Sequence, residues 1–312
     1  MRKTCLNMIY ELAKQDERIV FVGSDLGPGL LDDMKTEMPE RFYMEGVSEQ
    51  NIIGMAAGLA MEGFIPYVNT IATFITRRCF EQVAVDLCLH DLPVRLIGNG
   101  GGLVYAPLGP THLAVEDIGI MRTLPNMAIV SPSDAEEMKS FMRNSVEWPH
   151  PIYIRLGKGG DPVIFDDSRP FELGKASTLR DGGDVRIISS GIMSKHCMDA
   201  AKLLADRNIS AGVVHMPTVK PVDVDAVLAA SDGKLIVTVE EHFRTGGLGS
   251  AVADVLVDAN RIPELGVLRL GIEDRFPTKY GSQDEQLEQY QLHPAGIAQQ
   301  IEDALAQRSE DT

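Results

Sequence analysis

The 312-residue chain carries 29 lysines and arginines against 45 aspartates and glutamates, a formal charge of −16, so it repels phosphate backbones and anionic lipid headgroups alike. With 44% hydrophobic and 24% charged residues it has apolar material for about two packed domains, and no run approaches the ~18 apolar residues of a membrane helix. Nucleic acid and membrane are thereby excluded as partners; the four cysteines (Cys5, Cys79, Cys88, Cys197), without CxxC or framework spacing, indicate neither zinc nor disulfides and suit a reducing, cytoplasmic setting.

Along the chain, short apolar runs alternate with segments of helical period, the pattern of parallel strands joined by crossover helices, and the fold class is α/β. In the first half, strands are predicted at Ile19–Gly23, Phe42–Val47, Pro66–Thr70, Val94–Asn99, Met127–Val130 and Ile152–Arg155. Helices are predicted at Lys3–Lys14, Gln50–Met61, Phe74–Leu89, Val115–Arg122 and Asp134–Glu147. From Gly157 to Gly183 the chain is rich in glycine, proline and aspartate (GKGGDPVIFDDSRPFELGKASTLRDGG), too irregular for long helices or central strands. A second alternation follows, with strands at Val185–Ser190, Ala211–His215, Leu235–Val239 and Val267–Leu270. Its helices fall at Lys195–Arg207, Val222–Ala230 and Gly249–Asn260. The expected division is two open-sheet domains, 1–165 and 184–312, with a linker at 166–183.

Four segments have the composition of a ligand site. In Gly46-Val47-Ser48-Glu49-Gln50-Asn51 a strand ends, Ser48 is placed to cap the next helix, and Glu49 falls in its first turn, at the carboxyl edge of the sheet where α/β ligands sit. Taken alone, Glu49 reads more simply as a complement to the helix dipole. In TFITRRCFEQ, Phe74 offers a flat apolar face and Arg77 and Arg78 anion donors just after a strand; a buried ring with solvated arginines is the plainer reading. The run Gly98–Gly102 lacks the G-x-G-x-x-G spacing of dinucleotide sites, and beyond it Pro110-Thr111-His112 sets an imidazole before a helix, where a lone histidine is commonly a surface or capping residue. Finally, Glu240-Glu241-His242 leads into Gly246-Gly247-Leu248-Gly249, which reads either as an anion-binding helix N-terminus or as a glycine-rich turn beside a solvated acidic pair.

Taken together and in order, GVSEQNIIGMAAGLA, TFITRRCFEQ, GPTHLAVEDIGIMRTLPNMAIVSPSD, PTVKPVD and TVEEHFRTGGLGSAV resemble the C-terminal half of transketolase and of 1-deoxyxylulose-5-phosphate synthase over nearly the whole chain. The resemblance implies a thiamine-diphosphate pyrimidine-binding domain followed by a transketolase C-terminal domain. It implies transfer of a two-carbon ketol unit from a ketose donor to an aldehyde acceptor. The glutamate at the position of Glu49 would hold a proton at the aminopyrimidine N1′ and so favour the tautomer that activates the cofactor, helped by a pKa raised through burial. Phe74 would stack on the pyrimidine, Arg77 and Arg155 would contact substrate phosphate or carboxylate, and His112 would stand over the reacting carbonyl as a catalytic residue.

Two departures bear on the donor. The aspartate that the family carries shortly before the histidine, contacting the hydroxyl beside the donor carbonyl, is here Leu108, and a further upstream polar contact falls at Gly100 and Gly101. A deoxy or unphosphorylated donor, or pyruvate, is compatible with these changes. The Gly-Asp-Gly and asparagine motif that holds Mg2+ and the diphosphate is absent from the sequence. The resemblance therefore implies a separate subunit carrying that domain and its magnesium ligands, in an α2β2 assembly. Two rivals share the sequence features: the β subunit of a 2-oxoacid dehydrogenase, and a non-catalytic regulatory partner that kept the fold.

Overall fold

The computed structural model describes residues 1–24, 29–157, 159–166 and 169–310. In chain order the first part contains α1 (Arg2–Ala13), β1 (Ile19–Gly23), α2 (Asp32–Glu37), β2 (Phe42–Met44), α3 (Glu49–Met61), β3 (Ile65–Ile71), α4 (Ala72–Thr76) and α5 (Phe80–Gln82), the last running on as a π-helical stretch, Val83–Leu89. Next come β4 (Arg95–Asn99), α6 (Asp117–Arg122), β5 (Ala128–Val130), α7 (Ala135–Ser145) and β6 (Ile152–Arg155). The second part contains β7 (Ser177–Arg180), β8 (Val185–Ser189), α8 (Met193–Ala205), β9 (Ala211–His215), β10 (Thr218–Lys220), α9 (Val224–Ala230), β11 (Leu235–Phe243), α10 (Leu248–Asp258), β12 (Val267–Ile272), α11 (Gln283–Gln289) and α12 (Pro294–Glu310).

The strands form a seven-stranded sheet, β10-β5-β6-β4-β3-β1-β2, and a five-stranded sheet, β12-β11-β8-β9-β7. Among the described residues all pairs are parallel except β10 on β5 and β7 on β9. Helices cover both faces, so β1, β4 and β6 are buried at every position, as strands inside a covered parallel sheet are. The chain leaves β1 for β2 on one side and returns to β3 on the other. That reversal opens a crevice at the carboxyl ends of the strands, the usual ligand position in open α/β sheets.

Several boundaries differ from the sequence reading. The strand expected over Phe42–Val47 stops at Met44, because Gly46 turns the chain at φ +66° and leaves Val47 exposed. The helix expected over Phe74–Leu89 breaks at Arg77–Cys79. The linker expected over 166–183, of which Asp167 and Ser168 lie outside the described residues, supplies β7 as an edge strand. The second half of the chain also lends β10 to the first sheet, Thr218 pairing with Val130. Helices α2, α11 and α12 have no counterpart in the sequence reading; α11 is a polar seven-residue helix started by a Ser282–Glu285 capping box.

The two sheets share more than strand β10. His215 at the end of β9 is fully buried, its Nε2 2.9 Å from Glu137 of α7 and its Nδ1 2.6 Å from the Ser194 hydroxyl of α8. Leu103, Ala106, Leu113 and Val115, which belong to the loop after β4, pack into the hydrophobic core of the second sheet with Val237, Val239 and Leu270. Each buried leucine contributes about 1.5–3 kcal/mol, so that loop is anchored from the C-terminal side.

Candidate active site

The site assembles where β2, β3 and β4 end. Ser48 precedes α3, but its hydroxyl donates to the Glu45 carbonyl at 2.9 Å and makes no cap bond, contrary to the capping role expected of it. Glu49 opens α3 and is only 4% exposed. A bare carboxylate at that depth is costly unless paired. The partner is Arg78, whose Nη1 lies 2.7 Å from Glu49 Oε2. The interruption between α4 and α5 brings Arg78 there, and its guanidinium also lies 4.1 Å from the centroid of the Phe74 ring.

Across the cleft, the Phe74 and His112 rings meet edge to face with centroids 5.2 Å apart. The His112 Nδ1 lies 2.9 Å from the Thr111 hydroxyl. Arg77 pairs with Glu116 at 2.9 Å and donates to the Thr111 carbonyl at 3.3 Å. Burial pushes the Glu116 carboxyl above its usual range, against the pull of Arg77. These groups border an open cleft of about 740 Å³, lined by Phe74, Arg77, Arg78, Thr111, His112 and, from the far end of the chain, Phe276. Phe74, Arg77, Arg78 and His112 thus line one cleft, Glu49 is tied to it through Arg78, and Phe276 is an addition. Phe276 stands in an irregular segment with no periodicity to mark it.

Arg155 is not brought to the cleft. It ends β6 at 8% exposure, and its Nε donates to Asp117 at 2.8 Å while Nη2 donates to the carbonyls of Ala114 and Glu241 at 3.0 and 2.8 Å. The expected phosphate contact is therefore corrected to a buried strut between the two domains, because carboxylate and carbonyl acceptors within the protein surround it. Leu108 sits at the end of a short 3-10 turn (Ala106–Leu108), 51% exposed, beside the cleft and not among its lining groups. At Gly101 a Cβ would come within 2.5 Å of the Arg155 side chain, so this glycine makes room for the strut.

The acidic pair of β11 is not solvated either. Glu240 and Glu241 are both 3% exposed. The Glu240 oxygens accept from Leu248 N at 2.7 Å and Gly249 N at 2.9 Å, so this side chain itself fills the helix N-terminus that looked ready for an anion. Glu241 accepts from Leu103 N at 2.9 Å and Gln283 Nε2 at 2.8 Å. Complete burial raises its carboxyl pKa to about 7 despite Arg155 nearby. Among the described residues no group of His, Cys, Asp and Glu side chains is arranged to hold a metal ion, and no helix is long and apolar enough to cross a membrane.

Residues 1–160 match the transketolase pyrimidine binding domain and residues 174–297 the transketolase C-terminal domain, and the chain belongs to the transketolase family. It is 39% identical over 299 residues to one of the subunits of an apulose-4-phosphate transketolase from Phocaeicola vulgatus, covering 95% of this chain and 94% of that one. It is 37% identical over 298 residues to 1-deoxy-D-xylulose-5-phosphate synthase of a Synechococcus species, covering 93% of this chain but only 45% of that protein. A solved split-gene transketolase, described as an inactive β4 tetramer, superposes with a TM-score of 0.88 at 35% identity, covering 98% of this chain and 97% of the other. The chain is accordingly a transketolase-type transferase subunit of the split kind, and the family's chemistry depends on thiamine diphosphate.

Proposed function

We propose that this chain works with a second subunit, which carries the diphosphate-binding domain and the Mg2+ ligands, to transfer a two-carbon ketol unit from a ketose to an aldehyde. The observation that carries the reading is the buried Glu49 carboxylate, paired with Arg78 of a cleft that Phe74 and His112 also line. Those residues fit the cofactor's aminopyrimidine: a buried acid to meet a ring nitrogen and a phenyl ring to stack on. When bound, thiamine diphosphate supplies the nucleophilic carbon that takes up the two-carbon unit. Glu49 holds the proton at the pyrimidine N1′, Phe74 orients the ring, and His112 moves a proton at, or stabilises charge on, the substrate oxygen.

Arg77 and Phe276 form the substrate side of this chain's cleft. Both arginines bordering it, Arg77 and Arg78, already have carboxylate partners, Glu116 and Glu49. A phosphate on the substrate would have to draw its counter-charge largely from the partner subunit. The relative from Phocaeicola vulgatus is named for a sugar phosphate. In this chain Leu108 and the paired arginines support a donor that is deoxy or unphosphorylated at the end facing this subunit. An α2β2 assembly with cofactors at subunit interfaces suits a split chain, and four buried thiols without disulfides suit the cytoplasm.

The test mixes the chain with its diphosphate-domain partner, Mg2+ and thiamine diphosphate, and measures two-carbon transfer from phosphorylated ketoses, unphosphorylated ketoses and pyruvate. Ketose turnover that needs both chains and Glu49 supports the reading. Pyruvate decarboxylation with silence on ketoses replaces it with a synthase or dehydrogenase activity, and silence throughout leaves a non-catalytic partner.

A further inference from the structure

The loop that presents His112 is closed at its neck by Gly102 and Ala114, which exchange both backbone hydrogen bonds, Gly102 N to Ala114 O at 2.8 Å and Ala114 N to Gly102 O at 3.1 Å. The groups that grip this neck come from buried side chains and from strand β11. On one side the Glu241 carboxylate accepts from Leu103 N. On the other, Arg155 donates to the Ala114 carbonyl and with the same nitrogen to the Glu241 carbonyl, while Phe243 N donates to Val115 O at 2.7 Å. A Cβ at Gly102, which also has φ +69°, would lie 2.4 Å from the Glu241 carboxyl carbon. The loop backbone therefore rests directly on that carboxyl group.

We propose that Glu241 is a positioning residue for the transferase reaction: from the C-terminal domain it fixes the neck of the 102–114 loop, and thereby the placement of His112 against Phe74 and the cleft. The buried leucines of the same loop supply adhesion without direction, since apolar contact is non-directional. The carboxylate supplies the register, because a hydrogen bond to Leu103 N is satisfied in one arrangement only. The charged groups facing Glu241 are Arg155 of β6 and Asp117 of α6, joined by Arg155 Nε to Asp117 at 2.8 Å, with Tyr153 Oη donating to the same Asp117 from behind at 2.7 Å; Gln283, the first residue of α11, closes the remaining side. The C-terminal domain, which contributes little of the cleft wall, thus acts on the chemistry through the loop. This inference rests on the proposed role of His112.

The experiment is a double-mutant cycle in the assembled enzyme, with Glu241→Ala and His112→Ala made singly and together, thiamine diphosphate binding and thermal unfolding being followed in parallel. Glu241→Ala should lower kcat about thirty- to hundredfold, the scale of a misplacement of about 1 Å, with cofactor affinity unchanged. Glu241→Gln, which keeps an oxygen acceptor for Leu103 N, should restore kcat to within about threefold, and the double variant should be no slower than His112→Ala alone. Multiplicative losses in the double variant, or a fully active Glu241→Ala, overturn the proposal. A fully active His112→Ala overturns the reading of the histidine, and the proposal with it. Should Glu241→Ala fail to fold, Gly102→Ala presses on the same contact from the loop side, and its coupling to His112→Ala decides the question in the same way.

Discussion

Glu49 and Glu241 are both glutamates at the carboxyl ends of strands, and both are buried to within a few per cent, yet the protein uses them in opposite ways. Glu49 sits behind an open cleft, and its charged partner among the described residues, Arg78, lines that cleft and is itself 43% exposed. That pairing is one a ligand can displace. Glu241 is enclosed, and its acceptor oxygen is taken by a backbone amide and by Gln283. Depth alone does not separate a chemical carboxylate from an architectural one; what separates them is whether the partner can leave.

The sharpest way to break this comparison is at Glu49. Glu49→Gln keeps the shape and removes the ionisable oxygen. It should lower turnover of the assembled enzyme by about a thousandfold or more, within the range for a lost acid–base group, while the thermal transition and subunit assembly stay close to those of the parent. Steady-state kinetics beside a gel-filtration profile checks this. Retained turnover would return Glu49 to the helix-dipole role that an isolated acid at a helix start ordinarily has.

Beyond its expected effect on kcat, Glu241 should show itself in the pH dependence of stability. Its carboxyl pKa rises from 4.5 to about 7 through burial, so the folded protein holds that proton more tightly than the unfolded chain does. The contribution is complete below about pH 4.5 and is lost as the pH climbs through about 7, amounting to about 3 kcal/mol across the window. Urea midpoints measured from about pH 4.5 to pH 7 should fall with rising pH in the parent and level off above it, and fall less in Glu241→Gln, which is neutral throughout. Parallel curves for the two proteins would mean that Glu241 is ionised at all these pH values.

How far the site was readable in the sequence follows the same contrast. Glu49, Phe74 and His112 each follow a strand end, and strand ends in an α/β sheet are legible from apolar runs. Arg155 also ends a strand, but whether its guanidinium points to solvent or to Asp117 depends on a packing partner distant in the chain. Glu240 and Glu241 read as a solvated pair because two adjacent acids usually are solvated; the helix N-terminus that Glu240 holds lies in its own domain, and the loop amide that Glu241 holds comes from the other domain, and neither contact has a local sequence signal. Strand β10 is three residues long, too short for alternation to register. Phe276 escaped because the segment around it follows no period at all.

A smaller effect is expected at Arg78. Arg78→Ala leaves the Glu49 carboxylate buried without its counter-ion and uncovers the Phe74 ring, costing about 1–3 kcal/mol for a lost bond to a charged group. Turnover should drop less than in Glu49→Gln. Arg78→Lys keeps the charge but not the planar contact with the ring, and should fall between parent and alanine in thermal unfolding. Equal stability of all three proteins would show that the pair is screened by solvent and that Glu49 needs no partner.

The mildest change is at Leu108, which is half exposed and makes no essential packing contact with the cleft. Leu108→Asp should alter stability by no more than about 0.5 kcal/mol, as surface substitutions do. Its expected effect is on choice of donor: the new carboxylate would accept a hydrogen bond from the hydroxyl next to the donor carbonyl, worth about 1 kcal/mol, and so raise kcat/KM several-fold for hydroxylated ketoses over their deoxy counterparts. The ratio of the two kcat/KM values is the measurement, because it cancels any loss shared by both donors. A ratio equal to the parent's would place Leu108 outside the reach of the donor and leave its discrimination to His112, Phe276 and the partner subunit.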